Sequence, residues 1–183
     1  MFNKNQTYEQ HDNEKISFYR SSIDNLNSKD QLNSDINVDV CVIGGGLTGI
    51  SSALNLSKKG YSVVLCEARQ IGWGASGRNG GQLGIGMRKD QYTIEKKLGL
   101  NHAKELWNLG LESVDEVKNL IKEHNINCHI VNGVMSTACF AKDIDEYKFE
   151  IEHMSKNYNF EGYKFYNKDE IREEINSEMY LAG

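Results

Sequence analysis

The stretch VDVCVIGGGLTGISSALNLSKKGYSVVLCEA, residues 38–68, constrains the fold more than any other part of the chain. Val38 to Ile43 is a short apolar run of strand type that meets Gly44, Gly45 and Gly46. Apolar residues then recur at 47, 50, 53, 54 and 56, which is a helical rhythm. Gly60 suits the end of that helix, and a second strand begins at Tyr61. Strand, glycine turn, helix and strand in so short a span predict a βαβ unit with parallel strands and a right-handed crossover.

In that context Gly44-Gly45-Gly46-Leu47-Thr48-Gly49 reads as GxGxxG. The first glycine permits the tight turn, the second lets backbone approach a pyrophosphate, and the third lets the helix pack close to the strand. Phosphates would sit at the helix N-terminus, against free N–H groups and the positive end of the dipole. Glu67 ends the second strand about 20 residues past the motif, where a carboxylate takes the ribose hydroxyls and repels a 2′-phosphate. A coincidental glycine turn is the competing reading.

The turn alone does not separate NAD from FAD. The next segment does so. Glu67-Ala68-Arg69-Gln70 leads into GWGASGRNGGQLGIG, residues 72–86, seven of whose fifteen residues are glycine, so a following helix is excluded. Such backbone can lie flat against a long cofactor and form an anion-binding concavity. Arg78 would neutralise a phosphate or hydrogen-bond to the flavin side, with Ser76 and Asn79 as polar tips; an exposed loop is the alternative.

These residues resemble the opening of the flavin-dependent amine oxidases related to D-amino-acid and glycine oxidases. Within them the group of γ-glutamylputrescine oxidase has a WGASGRNGGQ-like segment after the acidic residue. The resemblance covers 38–183, and its specific part is 38–82. It implies FAD as cofactor. Gly44, Gly45, Gly46, Leu47, Thr48 and Gly49 would serve the pyrophosphate turn, and Glu67 with Ala68 the ribose. Gly74, Ala75, Ser76, Arg78, Asn79, Gly80 and Gly81 would line the cofactor. The implied activity is oxidation of a C–N bond of a small-molecule amine by hydride transfer to flavin, with oxygen as acceptor. An NAD-linked dehydrogenase and a non-catalytic remnant binding the ADP half of a dinucleotide are the alternatives.

The remaining expectations follow from composition and pattern. The net charge of −5 argues against a nucleic-acid partner. No apolar run approaches a membrane span, and the polar amino terminus lacks a signal-type segment, which predicts a cytoplasmic protein. Cys41, Cys66, Cys128 and Cys139 have no metal-ligand spacing and read as buried, reduced core residues, so no metal is expected. The predicted organisation is α/β, with a polar mobile tail over 1–37 that Ile16, Phe18 and Tyr19 pin in part to the body. The start of a Rossmann-like FAD-binding domain follows over 38–88, and part of a mixed α+β substrate domain over 89–183.

In that last part, apolar spacing predicts a long amphipathic helix over 101–124. Asn132-Gly133 predicts a β-hairpin within CHIVNGVMSTACFA. Two further helices are expected, one with Tyr147 and Tyr158 in its apolar stripe and one in the charged run DEIREEI. His102, His124, His129 and His153 read as solvated positions. Only two strands read as parallel-sheet members, so the chain is expected to be the N-terminal portion of a longer enzyme, with catalytic residues beyond Gly183.

Overall fold

The computed structural model describes residues 17–23 and 31–183. Ile16 and the rest of 1–16 lie outside these residues. The chain divides into two compact units, Met1–Gly81 and Gln82–Gly183. The division falls before the expected 88/89 because Ile85 belongs with the second unit. Its carbonyl lies so close to Gly110 that a Cβ there would collide with it.

The first unit is the expected βαβ: β1 Val40–Ile43, α2 Leu47–Lys58 and β2 Val63–Cys66, preceded by one turn of helix, α1 Phe18–Ser21. The strands pair in parallel, with Val40 opposite Val63 and Ile43 opposite Cys66. Helix α2 is capped at Lys59, and Gly60 follows at φ 89°, the left-handed residue after the cap that only glycine adopts without strain. Asp39 fixes the strand starts, since the Ser62 N–H and hydroxyl donate to its Oδ2 at 2.8 and 2.6 Å. These bonds hold the Asp39 carboxyl below its ordinary range. Tyr19 does meet the body, with its hydroxyl against Gly81, whereas Phe18 is 80 % exposed and pins nothing.

Two strands leave much of this unit open. Ile43 is 88 % exposed, and Leu47 and Ile50 of α2 are exposed as well. The same openness corrects the expectation for the cysteines. Cys41, Cys128 and Cys139 are exposed and Cys66 is half-buried, all as free thiols. Among the described residues no further strand or helix covers the face that carries Cys41 and Ile43.

The second unit is helical. It contains α3 Gln91–Leu98, α4 Leu100–Glu123, α5 Ala141–Tyr158 and α6 Lys168–Glu174. The long amphipathic helix therefore forms where expected, while α3 was not anticipated; Gly99 at φ 79° separates it from α4. The core draws on Ile94, Ala103, Trp107, Val114, Met154 and Ile171. Tyr158 packs edge-on to Trp107, ring centroids 5.8 Å apart, as expected of a core-side tyrosine. Helix α6 begins on a capping box: Asn167 accepts from the Glu170 N–H, and Glu170 accepts from the Asn167 N–H.

The hairpin at Asn132-Gly133 does not form. Such a turn needs positive φ at both central residues, and among them only Gly133, at φ 95°, has it. The apolar residues around it, Val131 and Val134, remain exposed. The segment pairs elsewhere instead. Ala138 forms an antiparallel bridge with Ala182 and accepts from the Leu181 N–H, and outside the segment Tyr166 exchanges both backbone hydrogen bonds with Gly183.

His153 is also corrected, since its side chain is only 15 % exposed. Its Nε2 lies 2.7 Å from Glu95 Oε1, the same oxygen that accepts from the Tyr158 hydroxyl at 2.7 Å. Gln91 Nε2 donates to Tyr158 and to the Ala103 carbonyl. One carboxylate thus ties α3 to α5, and the network reaches α4. Removing it strands two donors, so Glu95→Ala should lower the unfolding free energy by about 2–3 kcal/mol. Urea denaturation of the variant checks this; an unchanged midpoint would contradict it.

Candidate active site at the glycine turn

Every glycine of the GGGLTG turn meets a specific steric demand. The Gly44 N–H still donates to the Cys66 carbonyl at 2.8 Å, so the chain leaves β1 paired, and φ 105° at Gly44 then makes the turn. Gly45 is buried, and a Cβ there would press on Ile71 and Glu67. A Cβ on Gly46 would meet Ser76 Oγ, and one on Gly49 would collide with the Gly44 carbonyl. The third glycine therefore sets the helix-to-strand approach, as its position predicts.

Glu67 is tied directly to this turn. The Gly45 N–H donates to its Oε2 at 2.6 Å, and the Arg69 N–H to its Oε1 at 2.9 Å. Those two bonds, the Gly45 one foremost, hold the carboxyl below its ordinary range. A carboxylate has about four acceptor positions, so lone pairs remain for hydroxyl donors.

The glycine-rich loop folds back on the same turn. The Gly72 N–H donates to the Gly45 carbonyl at 2.9 Å, and Ser76 Oγ accepts from the Leu47 N–H at 3.0 Å. Gly46, the N-cap of α2, has no side chain to cap the helix, so the loop supplies the serine. Ala75–Gly77 is a short 3-10 turn, and Gly77 lies against the Gly72 carbonyl where no Cβ fits.

Loop and turn together enclose a cleft of about 540 Å³. Gly46 lines it from the turn, Glu67, Ala68 and Arg69 from the end of β2, and Trp73, Gly74, Ala75 and Ser76 from the loop. Six of these residues are among those expected from the sequence. Arg69 and Trp73 were missed as lining residues, although the single tryptophan in a glycine segment was a signal for the latter. Leu47 is exposed and enters through its N–H alone, while Thr48 lies exposed on the first turn of α2.

Arg78, Asn79, Gly80 and Gly81 do not line the cleft. Arg78 Nε donates to the Trp73 carbonyl at 2.9 Å, and its guanidinium lies 5.0 Å from the Trp73 ring, with that of Arg69 at 5.4 Å. Asn79 donates to the Ser76 carbonyl and accepts from the Gly81 N–H. Both side chains therefore brace the loop.

This arrangement fits a dinucleotide. Bare backbone and a helix N-terminus suit a pyrophosphate, and an ionised carboxylate at one end suits ribose hydroxyls. Among the described residues no histidine, cysteine or carboxylate group is arranged to hold a metal.

The family model for the DAO family, FAD dependent oxidoreductase, matches residues 39–182. Gamma-glutamylputrescine oxidoreductase of Escherichia coli is 37% identical over 167 residues, covering 91% of this chain and 39% of the relative. The probable oxidoreductase OrdL of Haemophilus influenzae is 34% identical over 146 residues, covering 79% and 34%. The chain thus spans little more than a third of the length of these relatives. No solved structure matches it.

A folded-state carboxyl held low contributes stability that is present above its unfolded value and lost as pH falls through the folded value. The Gly45 amide resonance should therefore titrate with Glu67, with a midpoint below 4.5, and the local stability should fade on that acid limb. In Glu67→Gln the titration should vanish. A Gly45 amide that titrates unchanged in the variant would refute the bond.

Proposed function

The chain belongs to the DAO family of FAD-dependent oxidoreductases, and on that premise we propose that it is the cofactor-gripping N-terminal part of an enzyme that oxidises a C–N bond of a small amine. A γ-glutamylputrescine-like compound is the proposed substrate and the cytoplasm the proposed location. The observation that supports this most is the cleft in which Gly46, Glu67 and Ser76 converge, since the loop that distinguishes a flavin site from a nicotinamide site is docked on the dinucleotide turn. Bound FAD supplies the two-electron acceptor for the oxidation, with dioxygen as the proposed terminal oxidant, reduced to hydrogen peroxide.

The chain's own residues have the following roles. The backbone at Gly44 to Gly46 and the start of α2 hold the pyrophosphate, with the helix dipole as the source of attraction. Glu67 accepts from the ribose hydroxyls, and Ala68, Gly74 and Ala75 provide low walls. Ser76 holds the loop down on α2 through the Leu47 N–H. Arg78 and Asn79 keep the loop in shape, with Gly80 and Gly81 closing it.

Substrate oxidation is tested on the full-length protein. Wild type should purify with bound FAD and release peroxide with γ-glutamylputrescine. Glu67→Ala should weaken FAD retention at least about tenfold, the loss of one charge-assisted hydrogen-bond set. ADP binding without flavin retention would favour a remnant that takes only the adenosine half. Undiminished FAD affinity in the variant would sink the assignment of Glu67.

A further inference from the structure

The second unit holds a cleft of its own, about 510 Å³, that the dinucleotide site does not use. Val134 and Met135 form an apolar wall, and Tyr147, Tyr163 and Tyr166 contribute aromatic rings. One acidic side chain lines it, Glu150 of α5, whose Oε1 lies 3.5 Å from the Tyr163 hydroxyl. We propose that this cleft binds the ammonium end of an alkylamine, with Glu150 as counter-ion, the tyrosine faces around the charge and Val134 and Met135 against the methylene chain.

Three observations favour a cation over a neutral or anionic ligand. First, an ammonium already occupies one of the aromatic faces: Lys164 Nζ sits 4.1 Å from the centroid of the Tyr166 ring. A tyrosine face attracts such a charge through its quadrupole, and the attraction grows as water is excluded. Second, the local field is negative. Tyr147 is pushed up by desolvation first and then by the charges of Asp143, Glu150 and Glu146, among others. Tyr163 is pushed up to about 12, by desolvation first and then by Glu150. Desolvation disfavours charge of either sign, so the part of each shift that bears on a cation is the one from the carboxylates, Glu150 at both rings, whose negative charge attracts an ammonium. Third, the mixture of exposed Val134, Met135 and a single carboxylate matches a molecule with one charged end and a hydrocarbon stem. Lys164 is the one cation in the lining, and its ammonium is engaged on Tyr166. The proposal rests on the amine-oxidising reading for its biological role, and it assigns the substrate's cationic group to residues of the second unit.

Tyrosine-ring NMR of the 183-residue chain tests it, with n-butylamine as probe and butan-1-ol as the neutral control. Butylamine should produce saturable shifts at Tyr147 and Tyr163, and butan-1-ol should produce none at equal concentration. Glu150→Gln should weaken the butylamine response at least tenfold, with the fold intact by circular dichroism because Glu150 is exposed. Absent shifts, equal shifts with butan-1-ol, or an unaltered response in Glu150→Gln would each overturn the site. FAD retention by the full-length protein should be untouched by Glu150→Gln. Failure of wild type to retain flavin would count against the functional reading and leave the amine site standing.

Discussion

The hydrogen bond from the Gly45 N–H to Glu67 is the interaction on which the site depends. It joins the turn after β1 to the end of β2, and it exists only because Gly45 presents backbone where a Cβ would press on Ile71 and Glu67. The same residue's carbonyl accepts from Gly72, so one glycine fastens the acidic residue on one side and the glycine-rich loop on the other. A buried backbone group left without a partner costs more than the bond contributes, and here donor and acceptor are both satisfied by the elements the site needs.

A division of labour follows for the loop. Glycine is required at Gly77, where the Gly72 carbonyl leaves no space, and at Gly81, at φ 70° against Tyr19. Around these points Trp73, Arg78 and Asn79 supply rigidity that bare glycine cannot. Two guanidiniums flank the indole within cation–π range, and the asparagine bonds backbone on either side. The loop is thereby held as a wall rather than left as a linker. That accounts for a tryptophan, an arginine and an asparagine inside a run of glycines.

Legibility of the sequence followed the range of the forces involved. The βαβ unit was readable because local chemistry fixes it: apolar strands of four residues, glycines at the turn, Gly60 after the helix cap. The cleft's position was readable because Glu67 and GxGxxG have a fixed spacing. The contacts of Arg78 with the Trp73 carbonyl and indole were not readable, because they depend on a loop conformation that spacing does not encode. The Asn132-Gly133 hairpin failed because Ala138 of the following run found its partners far along the chain, at Leu181 and Ala182, and tertiary pairing overrode the local signal. His153 was read as solvated for a similar reason, since its partner Glu95 lies in a helix that the periodicity did not reveal.

In the proposed reading, loop and turn form one cofactor cleft with Trp73 in its wall. Tryptophan fluorescence of the Trp107→Phe variant of the full-length protein, which isolates Trp73 from the buried indole of the second unit, tests this most directly once any tryptophan beyond these residues is also replaced. Addition of FAD to the apoprotein should quench the Trp73 emission in step with binding. Emission that stays constant while FAD binds would place the flavin nucleotide elsewhere and contradict the account.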